Sequence, residues 1–340
     1  MKVSAKTYAL PLLHPFGIAR ETRTIQRTFI VALTYKGHTG YGEATENAYY
    51  EVTIEKLQTI WEDIRSYLEN LSPIYPPSIW KTILKKTNNC RFLTAAIDEA
   101  LWDLTGKLKG IRTIDLLFSR YQNFPVSSYT IGIDSIDVMQ QKILENPWPV
   151  YKIKLGTIHD EEILQALRKV TDKPFRIDAN AAWDYNKTKK LLPFLTKIGV
   201  ELVEQPLPAG AYKDMERLKE ISPLPFFADE SCVTEKDLEK TFQSFHGINV
   251  KLTKAGGITP AFYMYQKAEK YHKLKMIGCM TESTVGISAA AQLLPAVDVA
   301  DLDGPLLLAQ DIAQGIRVQA NGYFFPNIPG NGVKMIRNSI

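Results

Sequence analysis

Pro149-Val150-Tyr151-Lys152-Ile153-Lys154-Leu155-Gly156 is the stretch around which the rest of the chain is organised. It is rich in β-branched and aromatic residues and closes with a glycine, which is typical of a strand that ends at a turn. Because side chains alternate along a strand, Lys152 and Lys154 share one face, roughly 7 Å apart. An isolated pair of this kind is typical of an edge strand with a solvated face. The residues downstream must decide between that role and a chemical one.

The composition is that of an ordinary globular protein. The 340 residues are 45% hydrophobic and 23% charged, and the length suits one large barrel or two domains. The net charge of +4 is small and the basic residues are scattered, so we expect no nucleic-acid partner. The first 16 residues do not resemble a signal peptide, and the longest uncharged run, residues 283–297, is too short for a membrane span. We therefore expect a cytoplasmic protein without a membrane partner. Whether it forms a homo-oligomer is left open.

The first 120 residues differ in pattern from the remainder. Residues 2–10 and 27–35 alternate as strands do, and residues 15–24 between them are polar and contain glycine, which predicts a loop. Residues 52–71 and 91–108 carry apolar side chains at helical spacing. Strands followed by helices predict a separate α+β domain over residues 1–120.

From residue 124 onward, short strands alternate with amphipathic helices. Eight strands are predicted, at residues 126–133, 150–155, 175–179, 200–204, 226–229, 248–252, 276–280 and 299–302. Helical patterns separate most of them, at residues 161–170, 185–198, 215–221, 235–245, 259–271 and 287–294. Eight strands with helical crossovers predict an α/β fold, a modified TIM (β/α)-barrel over residues 121–310. The tail, residues 311–340, is expected to pack back on the first domain.

Three consecutive barrel strands end in an acidic residue. Asp178, Glu204 and Asp229 follow one another at intervals of 26 and 25 residues, about one strand–helix unit each. An acid at a strand end is often a helix N-cap. However, the carboxyl ends of barrel strands meet at one face, where active sites are found, so three in succession favour a shared site.

Carboxylates that converge repel one another unless a cation joins them. Their hard oxygen ligands suit Mg²⁺, with further positions left for water or substrate. Zinc is disfavoured because histidine is absent from these strand ends and the three cysteines, Cys90, Cys232 and Cys279, lie far apart. The sequence therefore predicts a magnesium site.

Lysines flank this predicted metal site. Lys154 belongs to the second barrel strand and Lys251 to the sixth, on opposite sides of the ring. This arrangement fits removal of a proton from one face of a carbon and its return on the other face, with the metal stabilising the negative charge between the two steps. A lysine base needs its pKa lowered from about 10.4 to about 7–8, a cost of about 4 kcal/mol. We expect Lys152, the metal and burial to lower the pKa of Lys154.

The strand-end motifs resemble, in order and over the whole barrel, those of the muconate-cycloisomerase-like branch of the enolase superfamily. They are Lys152-x-Lys154, Asp178-Ala179-Asn180, Glu204-Gln205-Pro206, Asp229-Glu230-Ser231 and Lys251-x-x-Lys254-x-Gly256-Gly257. Tyr41-Gly42-Glu43-Ala44 is similar to part of the capping domain of that family.

The resemblance implies a barrel covered by an α+β capping domain, built from the N-terminal region and the C-terminal tail. It also implies Mg²⁺ as the cofactor, since such sites pair a lysine or histidine base with magnesium. The implied roles are Asp178, Glu204 and Asp229 as metal ligands, Lys154 and Lys251 as acid/base groups, and Lys152 as a group that stabilises the enediolate.

Residues near the last strands resemble those of dipeptide epimerases. Val299-Ala300-Asp301-Leu302-Asp303-Gly304 is similar to their Asp-x-Asp motif, which implies that Asp301 and Asp303 hold the ammonium group of a dipeptide. A simple turn at Asp303-Gly304 is the alternative. The same resemblance places Cys279, Thr281, Thr130 and Phe16 against the substrate. For Cys279 an ordinary buried thiol is the alternative.

One departure from that family concerns the first capping loop. Acid-specific members carry an arginine where this chain has Glu21, with Arg20 and Arg23 as neighbours. Either arginine could point inward or could be a solvated surface charge. We expect residues 16–24 and 45–50 to close over the substrate side chains. They should favour small or apolar ones, because a buried carboxylate without an arginine is costly.

The sequence therefore predicts a Mg²⁺-dependent epimerase of dipeptides. It would act by 1,1-proton transfer at the α-carbon of the C-terminal residue, through an enediolate. The alternatives on this fold are an o-succinylbenzoate synthase or a muconate-type cycloisomerase, whose substrates lack an ammonium group and would leave Asp301 and Asp303 unpaired. A non-catalytic metal-binding protein is a further alternative, but it would lack a base or a ligand, and none is missing.

Overall fold

A computed structural model describes residues 1–72 and 75–336. The chain begins with one antiparallel sheet of three strands, β1 (Lys2–Ile18), β2 (Glu21–Tyr35) and β3 (His38–Thr45). Four helices follow, α1 (Ile54–Glu69), α2 (Pro76–Lys86), α3 (Arg91–Lys109) and α4 (Thr113–Leu117). The helical patterns predicted at residues 52–71 and 91–108 correspond to α1 and α3. Helix α2 was not predicted from the sequence, although its buried side chains, Pro76, Ile79, Trp80 and Ile83, recur at helical spacing.

The prediction of a loop at residues 15–24 is wrong. β1 and β2 remain paired across this segment, with Phe16 opposite Arg23 and Ile18 opposite Glu21, so only residues 19–20 form the turn. The register shifts between Pro11 and Phe16, which bends this polar ribbon away from the rest of the sheet. Its tip reaches the barrel, where the Ile133 amide donates to the Gly17 carbonyl at 2.8 Å. The segment is therefore a paired hairpin whose tip contacts the barrel and lines the cavity at its mouth, and we call it the capping hairpin.

The barrel confirms the eight predicted strands and their helical crossovers. The strands are β4 (Tyr129–Ile131), β5 (Tyr151–Lys154), β6 (Phe175–Asp178), β7 (Val200–Glu204), β8 (Phe226–Ala228), β9 (Gly247–Lys251), β10 (Leu274–Gly278) and β11 (Val299–Asp301). The helices are α5 (Ile136–Glu145), α6 (Asp160–Arg168), α7 (Tyr185–Lys197), α8 (Tyr212–Ile221), α9 (Leu238–Ser244), α10 (Leu252–Ala255), α11 (Ile258–Lys270) and α12 (Thr284–Ala290). Short 3-10 helices follow at Ala291–Ala296 and Gly304–Leu307. Within the described ranges, none of the helices is long and apolar enough to cross a membrane.

The strands form one parallel sheet in sequence order from β4 to β11. The ring is nearly closed, because the Ser128 amide donates to the Ala300 carbonyl at 3.1 Å. Strand register places the predicted site residues at one level. Lys154, Asp178 and Glu204 are neighbours across β5, β6 and β7, and Lys251 and Asp301 both lie beside Gly278. The predicted convergence of the strand-end side chains follows from this register.

The C-terminal tail adds β12 (Ala313–Gln314), β13 (Arg317–Gln319), β14 (Gly322–Phe324) and β15 (Lys334–Met335). β12 pairs with β15, and β13 with β14. Ile312 and Val333 share a hydrophobic cluster with Leu10 and Ile30 of the N-terminal sheet. The domain boundaries near residues 120 and 310 stay a prediction, and the last four residues of the predicted tail lie outside the described residues.

Helix α3 lies directly on the N-terminal sheet because β3 has no side chains at two points. A Cβ atom added at Gly42 would lie 2.0 Å from the Ala96 carbonyl oxygen, and one at Gly40 would lie 2.1 Å from that of Ala100. Both contacts are with helix backbone, which cannot move aside as a flexible side chain can. These two glycines therefore set the distance between the sheet and α3.

We expect Gly42→Ala to lower the free energy of unfolding by about 3 kcal/mol or more, the upper end of the range for overpacking, because the whole helix must shift. Gly37→Ala in the same hairpin is the matched control. A Cβ atom there meets nothing within 4 Å, and only its φ of +79° opposes alanine, at about 1–2 kcal/mol. Urea unfolding measures both variants. A smaller loss for Gly42→Ala than for Gly37→Ala would contradict the close packing.

Candidate active site

The three predicted metal ligands meet at the barrel mouth. One carboxylate oxygen from each of Asp178, Glu204 and Asp229 lies within 4.8 Å of the others, and all three residues are buried. We call this group the acidic triad. Its register on β6 and β7, and its place directly after β8, bring together residues that are far apart in sequence.

The acidic triad fits an oxygen-ligated divalent cation. Glu204 Oε2 is buried and accepts no hydrogen bond, although Lys152 Nζ lies 2.8 Å away. The donors are carboxylate oxygens on rigid strands, the ligand type that Mg²⁺ prefers. Among the residues in the described ranges, this is the one group of three His, Cys, Asp or Glu side chains with such geometry.

Four lysines surround the acidic triad. Lys154 Nζ donates to Asp178 Oδ2 at 2.6 Å, and Lys251 Nζ donates to Asp229 Oδ2 at 2.9 Å. Lys152 Nζ lies 2.6 Å from Asp301 Oδ2 and 3.1 Å from Asp178 Oδ2. The two predicted acid/base groups therefore contact different ligands of the triad, one from each side.

These carboxylates favour the charged form of Lys152 and Lys251. Burial lowers the pKa of Lys251, but the charges of Asp229 and Glu204 outweigh burial and raise it. The same competition, with Asp301 as the strongest partner, raises the pKa of Lys152. Conversely, Asp229 is fully buried, yet Lys251 and Lys254 hold its pKa well below the usual value. The side chains around Lys251 thus raise its pKa, whereas a general base at neutral pH needs a lowered pKa.

Lys254 is the buried lysine of the group to which the sequence assigned no role. Its Nζ atom contacts Asp229 Oδ1 and donates to the Asp229 carbonyl at 2.6 Å and to the Cys232 carbonyl at 3.2 Å. It therefore fixes one oxygen of this ligand and leaves Oδ2 to face Lys251.

The backbone is strained in the loops that directly follow Asp178 and Glu204 in the sequence. Asn180, Ala181 and Gln205 have φ values of 44°, 62° and 36°, an uncommon region for residues other than glycine. The Gln205 side chain fixes this arrangement, because its Oε1 atom accepts from the amides of Asp229 and Ser231 at 3.1 and 3.0 Å. Gln205 thereby holds the loop after β8 against the loop after β7.

An amide in the barrel interior orients Glu204. Asn249 lies two residues before Lys251 on the same face of β9, and its Nδ2 atom donates to Glu204 Oε1 at 2.8 Å. Gly278 makes room for this side chain, since a Cβ atom there would lie 2.5 Å from Asn249 Oδ1. Asn249 was not among the site residues predicted from the sequence, although a polar residue between Ile248 and Val250, on the lysine-bearing face, was a usable signal.

Asp301 and Asp303 lie side by side near the seam between β11 and β4. Asp301 accepts from Ser128 Oγ at 2.6 Å as well as from Lys152, and Asp303 accepts from the Thr130 amide at 2.6 Å. Burial raises the pKa of Asp301, but Lys152 more than offsets this and the net pKa is lowered. Burial and the neighbouring Asp301 raise the pKa of Asp303 to about 7.

A single cavity contains most of the predicted site residues. Its lining includes Phe16, Thr130, Lys152, Lys154, Asp229, Lys251, Cys279, Thr281, Asp301 and Asp303. Asp178 and Glu204 lie fully buried directly beneath it. Burial and the nearby Asp303 hold the pKa of Cys279 well above its usual value, which disfavours the reactive thiolate.

The two loop arginines are not solvated surface charges. Arg20 donates to Glu230 Oε1 at 2.8 Å and to the Asn180 carbonyl at 2.9 Å. Arg23 lies 2.5 Å from Glu21 Oε1 and donates to Gln26. Both arginines line the cavity, and each is already paired within the protein. The partners of Arg20 come from the loops after β6 and β8 and leave no local pattern in the sequence, whereas the two side chains that pair with Arg23 lie within three residues of it on β2.

A second set of buried acids lies between the N-terminal sheet and the barrel. Glu43 accepts from Ser283 Oγ at 2.5 Å and from Thr28 Oγ1 at 2.8 Å, and its own amide donates to Glu99. Burial, together with Glu43, raises the pKa of Glu282 to about 8. These contacts tie β3 and α3 to the loop after β10, which carries Cys279 and Thr281.

Comparison with known proteins places this site in a family. The family model "Mandelate racemase / muconate lactonizing enzyme, N-terminal domain" matches residues 2–117, and "Enolase C-terminal domain-like" matches residues 136–339. The chain is 46% identical to an L-Ala-D/L-amino acid epimerase of Maribacter sp., over 98% of this chain and 99% of that protein. It is 44% identical to an L-Ala-D/L-amino acid epimerase of Flavobacterium johnsoniae, over 99% and 100%.

A solved structure agrees with these sequence matches. The dipeptide epimerase of Cytophaga hutchinsonii, complexed with Mg and the dipeptide D-Ala-L-Val, superposes with a TM-score of 0.93 at 26% identity. The match covers 99% of this chain and 96% of that chain. The fold and the site thus define a member of the enolase superfamily. Within it, the chain belongs to the dipeptide epimerases of the mandelate racemase/muconate lactonizing enzyme family.

We expect Glu204→Gln to weaken binding of Mg²⁺ by at least about 100-fold, because loss of a direct ligand should cost no less than loss of an outer-shell partner. Glu201→Gln is the matched control, since Glu201 lies on the same strand but is exposed and pairs with Arg176. Isothermal titration with MgCl₂ measures both affinities without substrate. Unchanged affinity in Glu204→Gln would remove Glu204 from the metal site.

Proposed function

We propose that this protein is a Mg²⁺-dependent dipeptide epimerase that inverts the α-carbon of the C-terminal residue. The observation that carries the proposal is the acidic triad with Lys154 on one side and Lys251 on the other, beside the carboxylates of Asp301 and Asp303. The magnesium and dipeptide of the Cytophaga hutchinsonii structure, on the same fold, support it.

Asp178, Glu204 and Asp229 would hold the Mg²⁺ ion. When bound, the ion supplies positive charge that holds the substrate carboxylate, stabilises the negative charge left when the α-proton departs, and competes with the lysines for the same carboxylate oxygens. Lys254 keeps Asp229 Oδ1 occupied, and Asn249 keeps Glu204 Oε1 occupied. Each of these two ligands therefore presents a defined oxygen to the site.

Lys154 and Lys251 move the proton. One lysine takes the α-proton from one face of the substrate, and the protonated lysine opposite returns a proton to the other face, which inverts the configuration. In the reverse direction the two lysines exchange roles. Lys152, held in its charged form among Asp301, Glu204 and Asp178, adds positive charge beside the developing enediolate.

Asp301 and Asp303 would bind the free ammonium group of the dipeptide. Asp301 is ionised by its contact with Lys152, and the pKa of Asp303 near 7 makes it responsive to an arriving cation. A substrate of an o-succinylbenzoate synthase or a muconate-type cycloisomerase has no ammonium group and would leave these buried acids without that partner. This pair therefore favours a dipeptide over those alternatives.

The side-chain preference is expected to be for small or apolar C-terminal residues. The capping hairpin brings Phe16 and Ile18 into the cavity, and Tyr49 and Tyr50 line it from the loop after β3. An extra methylene in such a pocket changes discrimination by only about 1–3 kcal/mol, so several apolar residues should be accepted.

Incubation of a dipeptide library with enzyme and MgCl₂, followed by chiral chromatography, tests the function. We expect inversion at the C-terminal residue of L-Ala-L-Ala and L-Ala-L-Leu, with a lower kcat/KM for L-Ala-L-Glu. Addition of EDTA should abolish the reaction. Absence of inversion in every dipeptide, together with turnover of a cyclohexadiene carboxylate, would exclude the epimerase assignment.

Single lysine variants separate the two proton-transfer groups. We expect Lys251→Ala to lose epimerisation of L-Ala-L-Leu by at least about 1,000-fold, within the range for a general acid or base. In D₂O it should still exchange the α-proton of one C-terminal stereoisomer, through Lys154. Lys154→Ala should exchange only the other stereoisomer. Proton NMR of L-Ala-L-Leu and L-Ala-D-Leu measures both.

Lys190→Ala, on an exposed position of α7, serves as the control and should behave as the wild type. If either Lys154→Ala or Lys251→Ala retains full epimerisation, the assignment of these two lysines is wrong.

A further inference from the structure

Arg20, at the turn of the capping hairpin, contacts three separate segments. Its two terminal nitrogens donate to Glu230 Oε1 at 2.8 Å and to the Asn180 carbonyl at 2.9 Å. The guanidinium also lies over the ring of Tyr49, 4.2 Å from its centre. These contacts join the hairpin tip to the loops that follow β6 and β8 and to the loop after β3.

Glu230 is the partner that determines the charge of this region. Its side chain is only 2% exposed, whereas that of Arg20 is 34% exposed. Glu230 Oε2 is buried without a hydrogen-bond partner, and in the described parts of the chain Arg20 is the cation in direct contact with this carboxylate, through Oε1. Arg23 is paired with Glu21, a carboxylate that is itself partly exposed. The hairpin brings two arginines to the cavity wall, but each of them is offset by the negative charge of its paired glutamate.

The topology indicates which part of a dipeptide meets this wall. Asp301, which would hold the ammonium group, is on β11, while Asn180 and Glu230 follow β6 and β8 in the other half of the ring. The floor of the cavity is filled by the lysines and the acidic triad. The side chain on the reacting α-carbon must therefore project upward, toward the capping hairpin.

We infer that the Arg20–Glu230 ion pair sets the charge selectivity of the side-chain subsite. The inference rests on the proposed function and adds Glu230 as a specificity-determining residue. Glu230 occupies the guanidinium that an acidic side chain would need, and its own carboxylate repels such a side chain. Exclusion of one substrate by a like charge in the pocket is a common source of specificity.

The pair can be separated one charge at a time. Removing the charge of Glu230 leaves Arg20 free for an acidic side chain, and removing Arg20 leaves Glu230 free for a basic one. Removing both restores a neutral wall. If the pair had only a structural role, the two single variants would not gain opposite preferences, one for acidic and the other for basic side chains.

The experiment compares wild type, Glu230→Gln, Arg20→Met and the double variant at saturating MgCl₂. L-Ala-L-Glu is compared with its neutral isostere L-Ala-L-Gln, and L-Ala-L-Lys with L-Ala-L-Met. The measured quantity is the ratio of kcat/KM within each substrate pair, which cancels any loss of activity common to both substrates. Glu235→Gln is the control, because Glu235 also follows β8 and pairs with an arginine, Arg91, but does not line the cavity.

We expect Glu230→Gln to raise the Glu-to-Gln ratio at least tenfold, equivalent to about 1.4 kcal/mol. Arg20→Met should raise the Lys-to-Met ratio by a similar factor. In the double variant and in Glu235→Gln, both ratios should stay within about threefold of the wild type.

The inference is overturned if Glu230→Gln leaves the Glu-to-Gln ratio unchanged, or if Arg20→Met raises that ratio. Should Glu230→Gln lose all activity, because Glu230 follows the metal ligand Asp229, the Lys-to-Met ratio of Arg20→Met decides alone. A wild-type enzyme that epimerises none of the four dipeptides would instead refute the proposed function.

Discussion

The structure of this barrel mouth depends on a balance of buried charge. Four carboxylates, those of Asp178, Glu204, Asp229 and Asp301, lie among four lysines, Lys152, Lys154, Lys251 and Lys254, and all eight are buried. Removing an ion from water costs several kcal/mol, and removing one partner of a buried pair typically costs about 3–5 kcal/mol. Each side chain is therefore tolerable only because the others are present. Such a cluster is held in one geometry, as a metal site and two opposed bases require.

The remainder of the chain supports this cluster from outside. Gln205 and Asn249 fix the loops and carboxylates with amide hydrogen bonds, and Gly278 supplies the space that Asn249 needs. Glu43 joins the N-terminal sheet to the loop that follows β10. The capping hairpin then covers the site through Arg20. The strands thus hold the proposed acid/base groups, whereas the cap contributes the segments that we propose select the substrate side chain.

Much of this arrangement could be predicted from the sequence, because it depends on the spacing of apolar residues and on the order of strands and helices along the chain. The alternation of strand and helix indicated the barrel, and the acids at three successive strand ends indicated the triad. Partners that come from distant segments leave no local pattern. The pairing of Arg20 with Glu230 depends on the bend of the hairpin, and residues 15–24 were predicted as a loop because a polar ribbon with one buried end lacks clean alternation. Lys254 matched a family motif, but its contact with Asp229 required the position of α10.

The central claim is that the opposed lysines act on one particular carbon of the substrate. Proton NMR of L-Ala-L-Leu with the wild-type enzyme and MgCl₂ in D₂O tests it directly. The α-proton signal of the C-terminal leucine should disappear as both configurations of that residue form, while the α-proton signal of the N-terminal alanine should persist. Exchange at the alanine α-carbon, or inversion of the leucine without uptake of deuterium, would contradict the assignment of the site.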